Sequence, residues 1–274
     1  MADMENDLTL ASIHSRLQTK WIGQTYHYFE SVGSTNQLLK EQATSHNLPN
    51  GTVYLTDFQE AGRGRLARKW EAPPRSSLLI SVLFRPDWSA QQANWLTMIA
   101  SLAAAEAIEA MTQLKIAVKW PNDLMVMLDG VWHKLAGILL EGDLGENGRF
   151  HAIILGIGIN VNIPAEQLPE AVTPASSLQV AVGQPLARLP LLLDFLARLE
   201  AHYEAANRGT SPQPIWAERL MMIGKPVQVT LTAGGQIITG FAEGTDTWGQ
   251  LLVRDEGEML HTIAAGDVTL REGG

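Results

Sequence analysis

The stretch QEAGRGRLARKW, Gln59 to Trp70, sets Arg63, Arg65, Arg68 and Lys69 around Gly62 and Gly64. Glycine lets a backbone come close to a ligand, and successive amides freed in this way can converge into a nest for an anion. Arginine adds a rigid fork of donors matched to carboxylate and phosphate. The chemistry on offer is recognition and neutralisation of an anion; the plain alternative is a solvated, flexible connection. The segment is not a dinucleotide-binding fingerprint, because no third glycine follows at the required spacing. Nor is it a P-loop, because no Gly-Lys-Ser/Thr ends it.

Three further stretches carry chemistry-bearing residues. KWPND, Lys119 to Asp123, leaves a strand and stops at a proline, so Asn122 and Asp123 become oxygen ligands on a turn, suited to Mg2+ or a ribose. An ordinary Pro-Asn-Asp turn is the alternative. HKLAGILLEG puts Lys134 at the start of an apolar strand, where a lysine either serves a site or marks a strand end with its head in water. GIGINVN places Gly156 and Gly158 inside a strand, where glycine weakens pairing and marks a close approach by a ligand or by other packing. The chain has no cysteine, which excludes a thiol nucleophile, disulfides and cysteine-ligated metal.

These residues need elements to hold them. TYHYFESV (25–32) and GTVYLTDFQ (51–59) read as strands. Between them, STNQLLKEQATSH (34–46) reads as a short helix with Ser34 or Thr35 as its cap. SSLLISVLFRP (76–86) is a buried strand closed by Pro86. Trp95–Met111 is an apolar run interrupted by Glu106 and Glu109, which fits a buried helix better than a membrane span. Three strands follow in a row: KIAVKW (115–120), KLAGILLEGD (134–143) and RFHAIILGIGINVNI (149–163). LARLPLLLDFLARLEAHYEAAN (186–207) is a periodic helix entered through Pro190, and SPQPIWAERLMMIG (211–224) a shorter one capped by Gly224. After Gly224 the texture changes to short alternating strands with Gly-Gly, Asp-Thr-Trp-Gly and Asp-Glu-Gly turns, the pattern of a small β-barrel. The expected fold class is α+β, a mixed sheet with helices on one side over residues 1–223, followed by a small barrel over residues 224–274.

Length and composition agree with this organisation. The chain has 274 residues, 46% hydrophobic and 18% charged, enough for a large core and a small second unit. A net charge of −9 argues against a general nucleic-acid binder or an anionic-membrane binder. MADMENDLTL is acidic and lacks an apolar core, so it does not read as a signal peptide. A cytoplasmic location is expected, compatible with the missing cysteine.

Taken in order, STN (Ser34–Asn36), QEAGRGR....KW (Gln59–Trp70), KWPND, KLAGIL and GIGIN resemble the biotin–protein ligase family. The resemblance implies a catalytic domain like the class II synthetases and the biotin and lipoate ligases, with an SH3-like C-terminal barrel. Fewer than 30 residues precede the first matching strand, so the resemblance is to the ligase-only form without a DNA-binding domain, and no nucleic acid or membrane partner is expected. The implied activity is that of a biotin–[acetyl-CoA-carboxylase] ligase. Biotin and MgATP give biotinyl-5′-AMP and pyrophosphate, and a lysine of biotin carboxyl carrier protein then takes the biotinyl group. A homodimer is compatible with the resemblance. Neither step needs an enzyme nucleophile.

The resemblance also implies roles. Ser34, Thr35, Asn36 and Gln59 hydrogen-bond the ureido ring of biotin, helped by the backbone of Arg63, Gly64 and Arg65. Lys134 holds the carboxylate and then the adenylate phosphate, Arg63 neutralises phosphate charge, and Arg65 retains the adenylate. Trp70 covers the adenine side, Asn122 and Asn160 contact adenosine, Gly156 and Gly158 let the strand pass close to the ligand, and Asp123 lies near Mg2+. The rival readings are a lipoate–protein ligase and a non-catalytic regulator that binds biotinyl-adenylate. No residue close to the basic loop in sequence neutralises Arg63, Arg65, Arg68 and Lys69, so the loop is expected to be mobile until ligands close it.

Overall fold

The structure, a computed structural model, describes residues 8–145, 148–232 and 234–270. Helix α1 (Leu10–His14) leads to strand β1 (Tyr26–Phe29), helix α2 (Thr35–Ser45) and strands β2 (Val53–Thr56) and β3 (Ser77–Phe84). Helix α3 (Trp95–Thr112) precedes a meander of β4 (Ile116–Lys119), β5 (Asp123–Leu128), β6 (Val131–Leu144) and β7 (Phe150–Asn160). Helices α4 (Leu178–Val182), α5 (Arg188–Asn207) and α6 (Gln213–Ala217) follow. The chain ends in β8 (Pro226–Leu231), β9 (Ile237–Thr245), β10 (Leu251–Asp255), β11 (Leu260–Ile263) and β12 (Gly266–Leu270).

The first seven strands form one sheet in the order β1-β2-β3-β7-β6-β5-β4. β1 and β2 run parallel and the other pairs antiparallel, so the sheet is mixed. The parallel pair needs a crossover, and α2 supplies it. Its N-cap is Ser34, whose side chain accepts from the Gln37 N–H.

The two faces of the central strands have different fates, because strand side chains alternate. Leu78, Ile80, Val82 and Phe84 of β3 and Ile153, Leu155, Ile157 and Ile159 of β7 join the main core, on which α3 and α5 also pack. Ser77, Leu79 and Ser81 of β3 and Gly156, Gly158 and Asn160 of β7 point the other way. The expectation of helices on one side holds for α3 and α5. Helix α2 sits on the opposite face, where Leu39 packs with Tyr54, Leu83 and Ile154 in a second, smaller core.

Two local expectations are corrected. The residues after KWPND form strand β5, closed onto β6 by a tight turn in which Asp129 and Gly130 have φ of 48° and 80°. Asp123 is therefore the first residue of a strand. The helix expected over 211–224 is confined to Gln213–Ala217, and Gly224, at φ 76°, lies seven residues further on, in the turn that enters β8.

The last five strands form an antiparallel sheet in the order β11-β10-β9-β8-β12. It is tied to the larger unit by tryptophans. The Trp120 indole N–H donates to the Gly249 carbonyl at 2.8 Å, that of Trp95 donates to the Thr247 carbonyl at 3.3 Å, and Trp95 stacks on Trp248 with centroids 6.0 Å apart. At the amino end, the Glu200 carboxylate of α5 accepts the N–H groups of Lys20, Trp21 and Ile22 at 2.7–2.9 Å, which fixes the segment before β1.

Candidate functional site

The face of the large sheet turned away from α3 and α5 is the floor of a cavity of about 820 Å³. Gly156 pairs with Ser81 and Leu139, and Gly158 with Leu79 and Gly137, so three glycines and a serine lie together with two leucines across three strands. The space above them is used. A Cβ on Gly156 would lie 2.2 Å from Oδ1 of Asn36, and one on Gly158 would lie 2.5 Å from the Trp70 indole. The glycines of GIGIN thus let an amide and an indole lie flat on the floor.

At one end, the first turn of α2 meets the floor. Ser34, Thr35 and Asn36 are buried. Gln59 Oε1 accepts from the Thr35 backbone N–H at 2.9 Å and from the Thr35 hydroxyl at 3.2 Å. The Ser81 hydroxyl lies 2.8 Å from Thr35 Oγ1 and 2.5 Å from Asn36 Oδ1. This is a rim of directional polar groups on a largely apolar base, suited to a compact ligand with its own N–H and C=O groups.

The basic loop arches over the cavity. Its two limbs are joined by Gly64 N–H to Arg68 O at 2.8 Å and Trp70 N–H to Gly62 O at 3.0 Å. Its tip is a 3-10 turn over Arg65–Ala67 in which Leu66 and Ala67 take left-handed φ of 56° and 57°, an uncommon conformation for non-glycine residues. Three of the loop's four cations meet partners far along the chain. Arg63 pairs with Glu141 of β6 at 2.9 Å, Arg68 with Asp267 of β12, and Arg65 donates to Asn122 Oδ1 at 3.0 Å and to Gly266 O at 3.5 Å. These partners are 78 and 199 residues from Arg63 and Arg68, beyond the reach of any local signal.

At the other end stand the lysines. Lys134 Nζ is 2.8 Å from Asp123 Oδ1 and 5.6 Å from the centroid of the Trp70 ring. Lys119 donates to Thr173 Oγ1 at 3.0 Å, and burial lowers its pKa below the ordinary lysine value against the pull of Asp123 and Asp267. Asn122 spans β5 and β6 by donating to Ile138 O at 2.8 Å, and Asn160 donates to Ser176 O at 3.0 Å. Asn160 Oδ1 and the Trp70 indole N–H are buried with no hydrogen-bond partner among the described residues, an acceptor and a donor suited to a ligand.

All the residues singled out by motif line this one cavity: Ser34, Thr35, Asn36, Gln59, Arg63, Gly64, Arg65, Trp70, Asn122, Asp123, Lys134, Gly156, Gly158 and Asn160. The motif reading missed others. Ser81 could have been found from the alternation of SSLLISVLF, which puts it on the same face as Ser77, and Glu141 from its two-residue spacing after Gly137 and Leu139. Lys119 stands first in KWPND yet receives no role from the motif, and Thr173 and Asp267 carried no signal. Among the described residues no cluster of three or more His, Asp or Glu could hold a metal, and Asp123 serves as the counter-ion of Lys134. A single carboxylate fits Mg2+ that arrives on a nucleotide's phosphates, not a resident metal site.

Comparison with known proteins agrees with this geometry. The model of the biotin/lipoate A/B protein ligase family matches residues 28–160, and that of the biotin protein ligase C-terminal domain matches residues 222–271. The chain is 32% identical over 266 residues to the bifunctional ligase/repressor BirA of Bacillus spizizenii, covering 96% of this chain and 79% of that protein. It is 34% identical over 245 residues to the biotin--[acetyl-CoA-carboxylase] ligase of Mycobacterium tuberculosis, covering 86% and 85%. Among solved structures, the biotin protein ligase from Aquifex aeolicus in complex with biotin and ATP is similar, with a TM-score of 0.73 and 28% identity, over 91% of this chain and 100% of that one.

Proposed function

The chain belongs to the biotin/lipoate A/B protein ligase family, and from that premise we propose that it is an ATP-dependent biotin–protein ligase whose acceptor is a lysine of biotin carboxyl carrier protein. The observation that carries this reading is the single cavity in which a polar rim at α2 and a cluster of cations share one glycine floor. Residues 1–223 act as the ligase unit and 224–274 as the small β unit. The setting is cytoplasmic; among the described residues no helix is long and apolar enough to cross a membrane.

In the first step a biotin carboxylate oxygen attacks the α-phosphorus of ATP, and pyrophosphate leaves. Two anions must meet, so the work of the site is charge neutralisation, alignment and exclusion of water. Ser34, Thr35, Asn36 and Gln59 orient the ureido ring. Lys134 holds the carboxylate, while Arg63 balances charge on the phosphates. Mg2+ would arrive with ATP as part of the substrate, and Asp123 is the carboxylate that would lie near it. Trp70 covers the adenine side, and Asn122 and Asn160 take adenosine. In the second step the carrier lysine attacks the acyl carbon and AMP departs.

A streptavidin blot after incubation of the protein with biotin, ATP and a carrier domain tests the reading. Labelling of the carrier is expected. No labelling with biotin, together with lipoate-dependent pyrophosphate exchange, would replace it with the lipoate reading.

Two residues give sharper expectations. Arg65→Gly removes the guanidinium that ties the loop to Asn122 and to β12. The variant should still make adenylate but release it, and free adenylate acylates bystander lysines. In a mixture of carrier and unrelated protein, unchanged selectivity would contradict this role. Gly158→Ala brings a methyl group to 2.5 Å from the Trp70 indole, and such overpacking should raise the KM for ATP about tenfold. A KM within twofold of the parent protein would show that the indole's seat does not matter for nucleotide binding.

A further inference from the structure

Glu141 is placed by no motif and has no part in the mechanism above, yet it joins the polar end of the cavity to the basic loop. One carboxylate oxygen lies 2.9 Å from Nη2 of Arg63, and the other accepts from Nδ2 of Asn36 at 3.1 Å. Its side chain is only 15% exposed, so its bond to the buried Asn36 is shielded from solvent, while Arg63 on the other side is half exposed. The chain of bonds continues from Asn36 to Ser81, Thr35 and Gln59. Gln59 and Arg63 belong to the same loop, so the network closes into a ring around the polar end of the cavity.

The ring has a consequence for the Asn36 amide. An asparagine amide can be turned either way, and its partners decide which end faces a ligand. A carboxylate can only accept, so Glu141 draws Nδ2 toward itself, and the Leu139 carbonyl, 3.5 Å from Nδ2, lies on the same side. Oδ1 is thereby turned to Ser81, with one lone pair left for a ligand N–H. Without the carboxylate, the flipped amide is also satisfied, because a serine hydroxyl both donates and accepts.

We propose that Glu141 is a positioning residue that holds the Asn36 amide with its oxygen toward the ligand and tethers Arg63 beside it, so that an N–H-bearing head group and an anion are recognised in fixed relation. The inference rests on the proposed biotin ligase activity. Glu141 touches neither substrate; it acts through Asn36 and Arg63.

The test is direct binding of biotin and of MgATP, each alone, to the full chain and to Glu141→Gln, by calorimetry. Glutamine can turn its own N–H toward Asn36, so the amide orientation is no longer imposed. Biotin should bind about tenfold more weakly, the scale of one misdirected hydrogen bond, whereas MgATP should bind no more weakly, because Arg63 is released and not lost. A purely structural defect would weaken both ligands together. In an Asn36→Ala background the Glu141→Gln change should add less than twofold, since its target is gone. If Glu141→Gln does not fold, Glu141→Asp keeps the charge but is one methylene too short to hold both partners, and the same loss for biotin is expected. Biotin binding by the parent protein with no loss in the variant would overturn the positioning role and leave the ligase reading intact. No biotin binding by the parent would overturn both. Equal weakening of biotin and MgATP, or a full additive effect in the Asn36→Ala background, would also refute the positioning role.

Discussion

Lys134→Ala should slow formation of biotinyl-adenylate by about 10²- to 10³-fold, roughly 2.7–4 kcal/mol of transition-state stabilisation, the scale of losing one preorganised electrostatic contact to a developing charge. The reason lies in where Nζ sits. A Cβ on Gly137 would be 3.2 Å from it, so the ammonium lies directly on the glycine floor, beside Trp70 and held by Asp123 at 2.8 Å. On the proposed mechanism its removal takes away the cation between the two reacting anions, and it leaves Asp123, a like charge, in the same corner. Aminolysis of adenylate supplied ready-made should suffer far less, because the carboxylate and the triphosphate no longer need to be brought together. Biotin-dependent pyrophosphate exchange and single-turnover transfer from purified adenylate separate the two steps. An equal loss in both would refute this division of roles.

Arg188→Met should cost about 3–5 kcal/mol of stability, because it breaks a buried ion pair from one side. Arg188 of α5 donates to Asp57 Oδ1 at 2.8 Å and to the Ser77 carbonyl at 3.2 Å, with both charged groups buried. The Tyr28 hydroxyl donates to Asp57 Oδ2 at 2.6 Å, and burial raises the pKa of neighbouring Tyr26, helped by the Asp57 carboxylate. In so dry a place an uncompensated aspartate is expensive. Asp57 is also the root of the basic loop: its carbonyl accepts from the N–H of Arg75 at 3.0 Å, and its carboxylate lies 3.5 Å from the Arg75 side chain, which clamps the two ends of the loop together. Denaturation in urea should show the loss, and Arg188→Met combined with Asp57→Asn should recover part of it, since no buried charge is then left alone. A loss below about 1 kcal/mol for the single variant would mean that water or Arg75 already screens Asp57.

Much of the architecture was readable from local pattern. The strands over 26–29, 53–56 and 77–84, the capped helix after Ser34 and the long apolar helix before KWPND all lie where β-branched runs, a serine cap and helical spacing put them. The misreadings have local causes too. DLMVML follows a Pro-Asn-Asp turn and has too little alternation to declare itself as β5, and ERLMMIG has helix-forming residues that the packing of Leu220 and Met222 into the core uses as a turn instead.

The sequence by itself determined the chemistry at hand: arginines on a glycine-rich loop, Lys134 at the head of an apolar strand, an Asn-Asp pair after a proline, and glycines where a strand must admit something flat. Only the tertiary structure decided which groups these residues meet. β3 is buried along its whole length, and although Ser77 and Ser81 mark one of its faces, nothing local says what that face meets. Only the paired register of β3, β7 and β6 brings Ser81, Gly156 and Leu139 together. The loop's charges looked unpaired because sequence patterns report neighbours within a few positions, whereas Coulomb attraction depends on distance through space. Folding brought Glu141 and Asp267 from far along the chain to within bonding distance of Arg63 and Arg68, and so gave two of the loop's cations a counter-charge.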